Sequence, residues 1–135
     1  MALSRGVLLY LLTLPVFFAV DLVWLGVAAP RLYRRHLGHL MADQVNWAAA
    51  VAFYLLFIAG IVVLAVIPAI EKGSMGKAVV QGALLGLVAY GTYDLTNLAT
   101  LRDWPLLITV VDLIWGTILA AVVSAASYLI AVKLG

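Results

Sequence analysis

The stretch WAAAVAFYLLFIAGIVVLAVIPA, residues 47–69, decides the fold because its 23 residues include no charged side chain. A helix of about 20 apolar residues crosses the hydrocarbon core of a bilayer, so this stretch predicts a spanning helix. Segments of similar character occupy residues 6–29, 78–100 and 106–131. The sequence therefore predicts an all-α polytopic membrane protein, a single domain over residues 1–135 with four spans.

Composition supports this class of protein. Of the 135 residues, 67% are hydrophobic and only 10% are charged, and the mean hydropathy is +1.18. A soluble domain carries far more charge. We expect membrane lipids as partners and no nucleic acid, because the net charge is only +2. The absence of cysteine excludes disulfides, thiolate metal sites and a thiol nucleophile.

The connections between spans predict an antiparallel four-helix bundle. The turns near Gly73 and Asp103 are short, so the helices they join should be antiparallel neighbours. The first connection, residues 31–46, is longer, and its apolar residues recur at helical spacing opposite a group of arginines. This pattern predicts a short interfacial helix, and a solvated connector whose arginines meet lipid phosphates stays open as an alternative. Basic residues divide four to four between the two faces, so the positive-inside rule gives no orientation.

Three carboxylates, Asp21, Asp94 and Asp112, lie inside the predicted spans, and no Lys or Arg accompanies them there. Counting residues from the nearest span ends places each of them about 10–13 Å deep on the same side of the membrane. An ionisable group in hydrocarbon is costly and is therefore a functional-site hypothesis. Mutual repulsion and desolvation mean that three close acids cannot all be ionised.

Aromatic and amide side chains accompany these acids. Tyr90, Tyr93, Asp94 and Asn97 share one helical face, with i, i+3, i+4 and i+7 spacing. The first and fourth spans each carry Asp-Leu-aliphatic-Trp, which places Trp24 and Trp115 beside their aspartates. We therefore predict a ligand-binding site made of Asp21, Trp24, Tyr90, Tyr93, Asp94, Asn97, Asp112 and Trp115. On the third span, Gly82 and Gly86 form a small-xxx-small pair that allows close approach of another helix.

No cofactor and no metal is predicted. His36 and His39 form an H-x-x-H pair, which supplies too few ligands for a catalytic metal centre. Phosphate-binding loops, nucleophile elbows and dinucleotide fingerprints are missing from the sequence.

Three runs of sequence carry a resemblance to a known family. They are YDLTNLATL (residues 93–101) with the Trp104-Pro105 and Val111-Asp112 pairs that follow, DLVWLG (residues 21–26) and YLLFIAG (residues 54–60). Over essentially the whole chain, the sequence resembles the domain of unknown function 2177 family of bacterial inner-membrane proteins. The resemblance implies four spans and a multi-pass protein of the bacterial inner membrane, and it implies no activity.

Three hypotheses for function follow. The first is binding or transport of a small cationic, amine-bearing or lipid-like molecule in the acidic layer, with Asp94 and Asn97 as central contacts. The second is a fatty-acyl-modifying enzyme, or its accessory subunit, with paired carboxylates as general acid and base; without cysteine or a cofactor motif, enzyme activity is the less favoured interpretation. The third is a structural or accessory subunit whose acids join helices. A homodimer is compatible with all three.

Overall fold

The computed structural model describes residues 2–135, and within them it contains helices and no strand. Its helices are α1 (Leu3–Val27), α2 (Ala29–Leu37), α3 (Trp47–Lys72), α4 (Met75–Thr100) and α5 (Leu106–Leu134). Helices α1, α3, α4 and α5 are long and apolar enough to cross a membrane. The protein is therefore an all-α polytopic membrane protein, as the sequence predicts.

Local sequence explains where α3 and α4 begin and end. The Asn46 side chain accepts a hydrogen bond from the Ala49 backbone N–H (3.1 Å) and caps the start of α3. Gly73 ends α3 in the left-handed conformation, with φ of 67°, which costs glycine little. The Ser74 hydroxyl then accepts from the Lys77 N–H (3.1 Å) and caps α4. Only two residues separate these helices, so they form an antiparallel hairpin.

Helix α3 runs three residues past its predicted end and passes through Pro68. Proline normally interrupts a helix because it lacks an N–H and its ring meets the carbonyl four residues earlier. Here a π-helical segment, Val62–Val66, precedes it, and the Ile67 N–H bonds to the Val62 carbonyl five residues back. The wider turn moves the carbonyls away from the proline ring, so the helix continues.

Helices α4 and α5 approach each other most closely at glycine. A Cβ atom on Gly86 would collide with the Gly116 carbonyl, and one on Gly82 would collide with Ser124. The predicted close approach at this small-xxx-small pair is therefore confirmed, and the helix that packs against it is α5. Around this contact, α1, α3 and α5 contribute a core of fully buried apolar side chains, which includes Phe17, Ile58, Ile61, Val66, Leu119 and Val123.

The predicted helix in the first connection is confirmed as α2. It starts one residue after α1, with Pro30 in its first turn, where a missing N–H costs nothing. Arg31, Arg34 and Arg35 are exposed, whereas Tyr33 is half-buried because it turns toward the spanning helices. Helix α2 is thereby placed beside the acidic residues of the spans.

Candidate functional site

A cavity of about 360 Å³ lies among the spanning helices, next to α2. We call it the acidic-aromatic cavity. It is lined by Asp21, Trp24, Leu25, Tyr33, Phe53, Tyr54, Ala89, Tyr90, Tyr93, Asp112 and Trp115. Two of these side chains are carboxylates, seven are aromatic and none is basic. Such a lining combines an apolar wall with a small number of polar groups, as ligand sites do.

The carboxylate of Asp21 on α1 occupies one part of the cavity wall. The residue is 4% exposed, and the Trp115 indole and the Tyr54 hydroxyl lie beside its carboxylate. The Trp115 Nε1 atom is buried and completes no hydrogen bond with any described residue. The Trp115 indole is therefore an unused donor beside this acid.

The carboxylate of Asp112 on α5 joins the spanning bundle to α2. The Tyr33 hydroxyl donates a hydrogen bond to Asp112 Oδ1, although the two residues are 79 positions apart in sequence. Burial and the adjacent carboxylate raise the pKa of Tyr33 above its ordinary value of 10.0. The phenol therefore keeps its proton at neutral pH and acts as a donor.

The third acid, Asp94 on α4, lies behind the cavity wall. Its side chain is fully buried, at 0% exposure. Neither carboxyl oxygen has a hydrogen-bond partner among residues 2–135, and the charged group that acts on it is Asp112. On the other side of its helix turn, the Asp94 backbone carbonyl accepts from the Thr109 hydroxyl (3.5 Å). Burial of an isolated charge is costly, so this position favours the neutral form of the acid.

Aromatic rings enclose the two cavity-lining acids. The Trp24 and Trp115 indoles stack, and Tyr33 meets Trp24 edge-on, with ring centroids 6.5 Å apart. Tyr90 interacts electrostatically with all three aspartates, and so it marks the level at which the acids converge. The predicted acidic layer is thus a compact group in three dimensions.

The structure brings six of the eight predicted site residues to the cavity and leaves two outside its lining. The six are Asp21, Trp24, Tyr90, Tyr93, Asp112 and Trp115. Asp94 lies behind Asp112, and Asn97 is half-buried beside Tyr93. Ligand contact by these residues stays a prediction.

Three aromatic lining residues were not predicted from the sequence: Tyr33, Phe53 and Tyr54. Tyr33 lies on the apolar stripe of α2, so its inward orientation could have been inferred from that stripe. Phe53 and Tyr54 lie in a span that is apolar on every side, and periodicity there does not distinguish the face that meets the acids.

No metal-binding arrangement is found in the part of the chain that the structure describes. No group of three or more His, Cys, Asp or Glu side chains there is positioned to hold a metal ion.

Fold and cavity together define a class of protein: a four-span helical membrane protein with an acidic-aromatic site between its helices. More particularly, the chain belongs to the DUF2177 family, described as "Predicted membrane protein", whose match covers residues 6–129. Neither the curated proteins nor the solved structures contain a significant match to the chain.

Proposed function

We propose that the acidic-aromatic cavity binds a small organic cation, such as an amine or a quaternary ammonium compound. The observation that carries this proposal is the lining itself, in which Asp21 and Asp112 are the only formally charged groups and aromatic rings form most of the remaining wall. A cation is attracted to the faces of indole and phenol rings as well as to carboxylates. Aromatic enclosure combined with acid favours an organic cation over an inorganic one, whose hydration these rings cannot replace.

The size of the cavity limits the ligand. A volume of about 360 Å³ lies at the lower end of the range that small-molecule sites occupy, about 300–1,000 Å³. This volume accommodates one substituted amine or the cationic headgroup of a lipid, and it excludes a whole phospholipid. A lipid-like ligand would therefore place only its headgroup among the rings.

The surroundings of the cavity provide a route for such a ligand. Leu25, Phe53 and Tyr93 line the cavity and are 41%, 45% and 57% exposed. These residues belong to three different spanning helices, so we expect the cavity to be reached from the bilayer between helices. A ligand that dissolves in the bilayer can enter sideways, an arrangement that suits transport or sensing of amphiphilic amines in a bacterial inner membrane.

The test uses benzyltrimethylammonium as the probe and the full chain in lipid nanodiscs. Binding is followed by calorimetry and by the fluorescence of the tryptophans. We expect saturable binding to the wild type, at least tenfold weaker binding to Asp112→Asn, and none of phenylmethanesulfonate, an anion of similar size. The expected loss corresponds to about 1.4 kcal/mol or more, within the range for removing one partner of a buried charge pair.

The matched control is Asp103→Asn, which removes an acid in the exposed turn between α4 and α5. Asp103 has a positive φ of 63°, a conformation that asparagine tolerates as well. This variant should bind like the wild type. Equal affinity of Asp112→Asn and the wild type would contradict the proposal and leave the acids with the helix-joining role alone.

A second measurement looks for a resident ligand and for the dimer that a small bundle suggests. Native mass spectra of the wild type and Asp112→Asn, solubilised gently, should show an adduct only in the wild type. An adduct retained equally by both variants would point away from the cavity.

A further inference from the structure

Asp94 is completely buried within a spanning helix, and neither carboxyl oxygen completes a hydrogen bond with a described residue. Burial favours the protonated form of such a group, which presents an O–H donor that lacks an acceptor. A buried donor without an acceptor costs free energy, so it turns toward any acceptor within reach.

The acceptor beside it is Asp112, on the neighbouring helix. Asp112 already accepts from the Tyr33 hydroxyl through Oδ1, and a carboxylate has capacity for several more donors. A protonated Asp94 that turned toward Asp112 would supply a second donor to it. The titratable groups that face Asp112 from the packed elements are Asp21 of α1, Tyr33 of α2, Tyr54 of α3, and Tyr90, Tyr93 and Asp94 of α4.

None of these facing groups is basic, so no cation among residues 2–135 neutralises Asp112. Its charged form depends instead on hydrogen bonds, which favour the carboxylate when they are donated to it. Asp21 differs, because the buried Trp115 Nε1 beside it completes no hydrogen bond with a described residue. The two cavity acids are therefore unequal, since Asp112 accepts a hydrogen bond from a side chain of another helix.

We infer that Asp112 is the charged partner of the bound cation, and that Tyr33 of α2 and protonated Asp94 of α4 hold it in its ionised form. This inference rests on the proposed function and gives separate roles to the three acids. Asp94 is a positioning residue that acts on the ligand through Asp112. Tyr33 makes the same contribution from α2, so docking of α2 and the charge of the site depend on one hydrogen bond.

The test is the pH profile of benzyltrimethylammonium binding in nanodiscs. Binding requires ionised Asp112, so affinity falls as the pH decreases through a midpoint. Removal of a donor makes protonation of Asp112 easier, and we expect Tyr33→Phe and Asp94→Leu each to raise that midpoint by about one pH unit. One unit corresponds to a typical hydrogen bond to a charged group.

Asp94→Asn separates a donor role from a packing role. Its amide N–H₂ can donate to Asp112 in place of the protonated carboxyl, so its midpoint should stay close to that of the wild type. Tyr10→Phe is the control for loss of a phenol, because the Tyr10 hydroxyl donates to the Leu55 carbonyl (3.0 Å) outside the cavity. Its midpoint should not move.

The outcomes distinguish the two proposals. If the wild type does not bind the probe, the proposed function is wrong and the inference falls with it. If the wild type binds but Tyr33→Phe keeps the wild-type midpoint, only the inference is overturned, and this holds even if Asp94→Leu does not fold. An equal upward shift in Asp94→Asn and Asp94→Leu would overturn the donor role of Asp94.

Discussion

The indoles of Trp24 and Trp115 stack face to face, with ring centroids 4.7 Å apart and planes inclined by 12°. They belong to α1 and α5, the first and last helices of the chain, and together they close one side of the acidic-aromatic cavity. Each Trp follows its own cavity aspartate by three residues. The stack therefore fixes the relative position of the two acids and supplies an extended π surface next to them.

Replacement of Trp24 tests the contribution of this surface. We expect Trp24→Ala to weaken benzyltrimethylammonium binding about tenfold, because a desolvated cation–π contact contributes about 1–2 kcal/mol. Trp47→Ala is the matched control, since Trp47 is 70% exposed at the start of α3 and does not line the cavity. Equal affinities of the two variants would show that the stacked indoles do not contact the cation.

The contact between α4 and α5 predicts a second result. A methyl group at position 86 would meet the Gly116 backbone carbonyl, which cannot move aside as a flexible side chain could. We expect Gly86→Ala to lower the free energy of unfolding by about 1–3 kcal/mol, the usual cost of overpacking. Unfolding in mixed micelles by added denaturing detergent measures this change.

Gly26→Ala provides the comparison, because nothing lies within 4 Å of the added methyl group. Alanine favours a helix over glycine by up to about 1 kcal/mol, so this variant should match or exceed the stability of the wild type. If both variants lost the same stability, close helix approach at Gly86 would not be the cause.

A buried hydrogen bond at the start of α5 predicts a third result. The Trp104 indole N–H donates to the Thr109 hydroxyl (3.0 Å), and both residues are buried. Thr109→Val keeps the shape of the side chain but leaves the indole donor unpartnered, so we expect a loss of about 1–3 kcal/mol. Thr117→Val should change stability by less, because the Thr117 hydroxyl donates only to a carbonyl of its own helix, that of Leu113 (2.7 Å).

Both variants introduce the same residue into α5, so intrinsic helix propensity cancels in the comparison. Unfolding in mixed micelles again gives the free energies. A loss in Thr117→Val as large as that in Thr109→Val would mean that valine itself, and not the indole donor, causes the effect.

The raised pKa of Tyr33 predicts how stability depends on pH. Above its ordinary pKa of 10.0 the unfolded chain releases this proton while the folded protein retains it, because burial and Asp112 both disfavour the phenolate. The stabilisation is thus complete below pH 10 and declines as the pH rises further. We expect the free energy of unfolding to fall more steeply between pH 10 and 11.5 in the wild type than in Tyr33→Phe. Parallel curves would contradict this assignment.

The sequence was sufficient to predict the four spans, α2 and the convergence of the acids, for a simple physical reason. Long apolar segments must be helical in a bilayer, since every backbone polar group needs an internal partner. Once the spans are placed, counting residues at a fixed rise gives the depth of Asp21, Asp94 and Asp112. The depth of a residue depends on its distance along the helix from the end of the span, and this distance follows directly from its position in the sequence.

The rotation of a helix about its axis is harder to predict from the sequence than the depth of a residue. This rotation determines which side chains line the cavity. Asp94 and Tyr93 are adjacent on α4, yet one is completely buried and the other is 57% exposed. The face of α3 that points inward was equally difficult to predict from the sequence, because a span that is apolar all around has no polar side to indicate its orientation. The π-helical segment also changes the rotational position of the side chains around α3, and no residue type in the sequence predicts this change.

Entry beside Leu25, Phe53 and Tyr93, which line the cavity and are exposed, would determine how fast the proposed ligand is captured. The route of entry cannot change occupancy at equilibrium, because occupancy depends only on the free energies of the free and bound states. It changes the rate, since a ligand that arrives from the lipid does so in proportion to its concentration in the bilayer. Two amines with the same affinity for the cavity would then bind at rates that differ by the ratio of their membrane partition coefficients, and the bilayer would act as a kinetic filter ahead of the protein.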